Sequence, residues 1–110
     1  MGLFDFFKKK FETISPAQAK EALDAGAMLI DVREPSEYRS GHASGARLIP
    51  LGSLEQKFKD IPIERKILVI CQSGMRSRQA AGILASNGYQ VTNISGGMMG
   101  WKRAGQRVVN

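Results

Sequence analysis

The single cysteine of the chain, Cys71, follows four aliphatic residues, Ile67 to Ile70, and is followed by Gln72-Ser73-Gly74-Met75-Arg76-Ser77. The aliphatic run reads as a buried strand, and Gly74 lets a tight loop lead straight into a helix. In an open α/β sheet, ligands bind outside the carboxyl ends of the strands, which is where this thiol falls. A strand-loop-helix turn points successive backbone N–H groups inward and adds the positive end of the helix dipole. Such a turn holds an anion without any side-chain base. Beside Arg76, a thiol so placed has its pKa lowered from ~8.5 toward the ~3.5–7.5 range, so Cys71 is expected to be a thiolate near neutral pH. A lone cysteine after aliphatic residues can instead be a small buried hydrophobe. Gly74, Arg76 and the charge distribution of the chain favour the reactive thiol.

Sixteen Lys and Arg against ten Asp and Glu give a net charge of +6 over 110 residues. The surplus is uneven: residues 1–11 carry three Lys and one Asp, residues 12–64 carry six basic and nine acidic groups, and from Arg65 onward there are seven basic residues and no acid. The half that holds the thiol is therefore electropositive, which suits a small anion. Nucleic acid is not expected, because basic and aromatic residues do not interleave as in RNA-binding modules. One cysteine and one histidine exclude an internal disulfide and a Cys/His zinc site, and neither metal nor cofactor is expected. Gly96-Gly97-Met98-Met99-Gly100 lacks the glycine spacing and the downstream acid of a dinucleotide site. No apolar run approaches the ~18–20 residues of a membrane-spanning helix.

The elements that must position Cys71 alternate between strand and helix. Ser15-Pro16-Ala17-Gln18 combines an N-cap serine, a proline at the first helical position and Gln at the fourth position of a capping box, so a helix runs from there to just before Gly26. Met28 to Val32 is a buried strand, Pro35 opens a short helix within 33–41, and Ala46 to Ile49 is a second short strand. Ser53-Leu54-Glu55-Gln56 repeats the cap and predicts a helix to about Lys59. Lys66 to Ile70 is the clearest strand, 77–87 a helix closed by Asn87-Gly88, Tyr89 to Ile94 a strand, and 98–104 a last helix. Apolar strands without strict alternation indicate a parallel sheet covered on both faces.

Residues 1–12 read as a short amphipathic segment ahead of a domain over 13–110. Leu3, Phe4, Phe7 and Phe11 share one helical face beside Lys8-Lys9-Lys10, and docking on the domain is preferred to contact with a membrane or a partner. The apolar residues precede the lysines, the reverse of a secretory leader, and position 6 is Phe where a myristoylation site wants Ser or Thr. A cytoplasmic protein is expected.

The chain resembles single-domain rhodaneses, thiosulfate-type sulfurtransferases, over nearly all of 14–109. The first family signature is matched by Leu29-Ile30-Asp31-Val32-Arg33-Glu34-Pro35, Glu37-Tyr38, Gly41-His42 and Gly45-Ala46. The second, Cys-x-x-Gly-x-Arg-Ser, is Cys71 to Ser77, and the third is Gly96-Gly97 with Trp101. Ala43-Ser44 and Leu48 depart from the usual apolar-Pro and Asn. The resemblance implies an α/β rhodanese-like fold with a central parallel sheet and helices on both faces. It implies an enzyme whose Cys71 thiolate takes the outer sulfur of thiosulfate, expels sulfite and passes the persulfide sulfur to cyanide or a thiol, the 72–77 loop binding the substrate with Asp31 and Arg33 in support. Because no second cysteine can resolve a persulfide, the acceptor must be external, and a protein persulfide could act as donor or acceptor.

Two roles stay open for Arg76: contact with the anionic donor, or bracing of the loop by pairing with Asp31 or Glu34. His42 is expected to order a helix end and Trp101 to pack in the core. The competing readings are a persulfide carrier without catalysis and a Cys-based phosphatase or arsenate reductase, whose loop spacing is Cys-x5-Arg where this chain has Cys-x4-Arg.

Overall fold

The computed structural model describes residues 10–110, so the expectations for 1–9 lie outside the described residues. Five strands form one parallel sheet in the order β1-β6-β5-β2-β4, with β1 at Glu12–Ile14, β2 at Met28–Asp31, β4 at Arg47–Leu48, β5 at Ile67–Ile70 and β6 at Val91–Ile94. All residues of β2, β5 and β6 are buried, as the absence of polar alternation requires of strands covered on both faces. Asp31 lies opposite Ile70, so the carboxyl ends of β2 and β5 are side by side. From β2 the chain moves outward to β4, and from β5 it moves the other way to β6. Their junction is thus the switch point of the sheet, where open α/β folds bind ligands.

Two apolar layers flank the sheet. Val69, Cys71 and Ile30 face Ala80, Ala81 and Leu84 of the helix α3, Met75–Ser86, together with Leu54 and Ile61. Leu68, Ile70 and Leu29 face Ala19 of α1, Pro16–Asp24, and Met98 and Trp101 of α4, Gly97–Arg103. The short helix α2, Pro35–Arg39, adds Tyr38 to the second layer.

The cap at Ser15 forms as expected: its hydroxyl accepts the Gln18 N–H at 3.1 Å and its N–H donates to Gln18 Oε1 at 2.9 Å. The similar motif at Ser53 does not open an α-helix. Ser53 lies inside a 3-10 turn, Leu51–Ser53, and a second 3-10 segment covers Glu55–Asp60. An N-cap stands just outside the helix on extended backbone, whereas Ser53 already lies within a 3-10 turn with its N–H donating to Pro50 O at 2.9 Å, so it begins no first turn. The helix α3 starts two residues before the expected 77, because Gly74, at φ +108°, turns the chain into it directly.

The sequence reading did not include β1, or the antiparallel pair of β3, His42–Ala43, with β7, Val108–Val109. These strands have two or three residues, too few for any periodicity to show. Glu12, placed in the leading segment, begins β1, and Phe11 is packed against the α3 layer and is not part of a helix.

Ser15→Ala removes the reciprocal cap of α1. It is expected to lower stability by about 1 kcal/mol in urea denaturation without changing the slope of the transition.

Candidate active site

Cys71 is the residue immediately beyond β5 and is 1% exposed. Its Sγ accepts the Gly74 N–H at 3.0 Å and lies 3.4 Å from Ser77 Oγ. Burial pushes the thiol up, but the Ser77 hydroxyl and the N–H groups of Ser77, Gly74 and Ser73 outweigh it, and the pKa falls below the ordinary thiol value. The cradle expected from the strand-loop-helix turn is therefore present, with Ser77, on the first turn of α3, closing it from the helix side.

Two carbonyls of the loop, those of Cys71 and Gln72, are taken by the start of α4. Met98 N–H donates to Cys71 O at 2.8 Å and Met99 N–H to Gln72 O at 3.3 Å. This contact explains the glycine pair before Trp101. A Cβ on Gly97, which has φ +57°, would stand 2.5 Å from Cys71 O and from the Gln72 carbonyl, so no other residue lets α4 approach.

Two arginines brace the loop against the first signature. Asp31 and Arg33 are both buried; Arg33 Nε donates to both Asp31 oxygens at 3.0 Å, and Nη2 to Asp31 Oδ2 and Gly41 O at 2.8 Å. Its Nη1 reaches Gln72 Oε1 at 3.3 Å and so ties β2 to the loop. Arg76 Nη1 and Nη2 bind Glu37 Oε1 and Oε2 at 2.7 and 2.9 Å. The bracing partner is thus Glu37, and neither Asp31 nor Glu34. Asp31 is taken by Arg33, while Glu37 is fixed by the Glu34 N–H, which donates to its Oε1 at 3.0 Å. Glu37 was visible in the Glu37-Tyr38 signature, but nothing in the sequence paired it with a residue 39 positions on. The Arg76 guanidinium holds the Glu37 carboxyl down at about 2, and Arg76 is itself held charged.

Of the other loop residues, Met75 is 70% exposed and Ser73 is exposed. His42 Nδ1 is 2.9 Å from Tyr38 O and its ring stacks on Tyr38 at 3.6 Å, so it orders the end of α2, as expected. Trp101 is buried, with Nε1 donating to Arg107 O at 2.9 Å, a core role. Among the described residues no helix is long and apolar enough to cross a membrane.

Gly97→Ala is expected to cost roughly 2–4 kcal/mol, from the left-handed backbone and the carbonyl clash together, in denaturant unfolding. Unfolded, Glu37 takes up its proton near 4.5; folded, it stays ionised to about 2. In that window the unfolded chain binds more protons. The contribution of the pair is complete above 4.5 and is lost as pH falls toward 2. The melting temperature of Glu37→Gln should accordingly fall less steeply than that of the wild type over this range, and parallel curves would show that the pair adds nothing.

The chain matches the family described as "Rhodanese-like domain" over residues 15–104. It is 34% identical over 94 residues to the thiosulfate sulfurtransferase GlpE of Ectopseudomonas mendocina, covering 84% of this chain and 86% of that one. Identity is 43% over 76 residues with the uncharacterized protein YqhL of Bacillus subtilis, 68% of this chain; the match spans only 60% of YqhL. The crystal structure of a rhodanese-related protein from Thermoplasma volcanium superposes with a TM-score of 0.84 at 32% identity, covering 90% of this chain and 98% of that one. With its parallel sheet, its Cys71 loop and these relatives, the chain belongs to the rhodanese-like domain family.

Proposed function

We propose that the chain is a sulfurtransferase that carries sulfane sulfur as a Cys71 persulfide. The observation that carries this reading is the sulfur cradle: a buried Sγ met by the Gly74 N–H at 3.0 Å with the Ser77 hydroxyl at 3.4 Å. The family membership and the name of the Ectopseudomonas relative, thiosulfate sulfurtransferase, support it.

The Cys71 thiolate attacks the outer sulfur of thiosulfate, or the terminal sulfur of a persulfide. A new S–S bond forms as the old one breaks, and sulfite, or the donor's thiolate, leaves with the electron pair. Cyanide or a thiolate then attacks the outer sulfur of the Cys71 persulfide, giving thiocyanate or a new persulfide and returning the thiolate. This is covalent catalysis that divides one transfer into two displacements, and Cys71 is its nucleophile. Gly74, Ser73 and Ser77 stabilise the anion in both halves. Gln72, Arg76, Asp31 and Arg33 position the loop, and Met75 lies at its rim. An unpaired thiol that must stay reduced fits a reducing compartment such as the cytoplasm. The phosphatase reading is disfavoured by the Cys-x4-Arg spacing and by the engagement of Arg76 with Glu37.

Incubation with thiosulfate should add one sulfur, ~32 Da, to the wild type, discharged by cyanide as thiocyanate, and Cys71→Ser should show neither while keeping its fold. Wild-type turnover in Cys71→Ser would overturn the reading.

A further inference from the structure

Resting on the sulfurtransferase reading, we propose that Glu37 sets the donor class. By neutralising Arg76 beside the loop, it favours a monoanionic sulfane-sulfur donor carrying an organic group, of which the persulfide of a thiol is the representative, over the thiosulfate dianion.

Both donors bring an anionic sulfur toward an anionic Cys71, but thiosulfate brings twice the charge. A site for it therefore needs a cation with charge to spare. The two arginines braced against this loop have none. Arg33 is buried, and its guanidinium is spent on Asp31, Gly41 O and Gln72 Oε1. Arg76 gives both terminal nitrogens to Glu37 in a fork at 2.7 and 2.9 Å. Arg78, the next cation along α3, lines a groove on the outer side of that helix with Glu55, Gln79 and Asn87.

The exposed apolar side chains beside the loop are suited to an organic group. Met75, directly after Gly74, is 70% exposed, and Met99, whose N–H holds Gln72 O, is 51% exposed. A flexible thioether adapts to varied apolar substituents and offers nothing to a sulfonate. Arg76 is held charged first by Glu37, and the charge of Cys71 acts on it in the same direction.

Glu37 acts through Arg76 and is a positioning residue, so its test must read charge and not fold. Glu37→Gln removes the negative charge while its amide oxygen can still accept from Arg76 and from the Glu34 N–H. The probes are thiosulfate and methanethiosulfonate, which present the same outer sulfur with charges of −2 and −1 and leave as sulfite and methanesulfinate. In Glu37→Gln the kcat/KM for thiosulfate, relative to that for methanethiosulfonate, should rise about five- to tenfold, the scale of one extra unit of charge acting at partly screened range. In the double variant Glu37→Gln, Arg76→Gln, where no net charge has been freed, the ratio should return to within about twofold of the wild type. An unchanged or lower ratio in the single variant overturns the proposal. So does a rise that persists in the double variant, which would mean that loosening the loop is responsible. If neither probe loads sulfur onto wild-type Cys71, the sulfurtransferase reading fails and this one with it, whereas loading with an unmoved ratio defeats this one alone.

Discussion

A buried sulfur is easier to ionise where hydrogen-bond donors face it, and a peptide that turns its N–H inward turns its C=O outward. The loop after β5 meets the first condition at Gly74 and is left with the second. Outward carbonyls in a packed protein need donors. Those of Cys71 and Gln72 find them at the start of α4, where Met98 and Met99 have N–H groups free because the helix has no preceding turn. The cradle and the glycine pair more than twenty residues later are thus one device. A helix can approach two loop carbonyls this closely only if the residue at the contact has no side chain, and Gly97 meets that demand.

The topology brings the other supports to the same place. At the switch point the end of β2 lies against the end of β5, so Asp31 and Arg33 emerge beside Cys71. A buried Arg–Asp pair is costly to desolvate and contributes little net stability by itself. Its value here is geometric: with Asp31 fixing one side of the guanidinium, the remaining nitrogens reach Gly41 O and Gln72 Oε1 and set the distance between the first signature and the loop. The Arg76–Glu37 fork makes a second tie between the same two segments at the surface. Two independent ties and two carbonyl contacts leave the loop little freedom, which a preorganised anion site requires.

The parts of this arrangement that could be read from the sequence are those with a local cause. The buried strands, the Ser15 cap, the Cys71 loop and the roles of His42 and Trp101 depend on neighbouring residues or on a motif. Ser53 shows where the local signal fails: the same cap chemistry is present, but the chain is already turning when it arrives, and tertiary placement decides. The partner of Arg76 had no local cause at all. Asp31 and Glu34 belong to the same signature, yet Asp31 is committed to Arg33, and the capping contact at the start of α2 presents Glu37. The short strands β1, β3 and β7 exist because a sheet edge and the chain end meet them, not because their sequences ask for it.

A cradle made of dipoles has a consequence for the proposed cycle. When a thiolate becomes a persulfide, the negative charge moves outward by one S–S bond, about 2 Å. A single fixed cation close to Sγ would favour one position and resist the move. N–H groups from Ser73, Gly74 and Ser77, together with the Ser77 hydroxyl, share the stabilisation of Sγ among several dipoles, so the proposed cycle does not hang on one cation fixed beside it. Both arginines can then be engaged elsewhere. Their charges hold the frame, and the backbone they hold in place supplies the field.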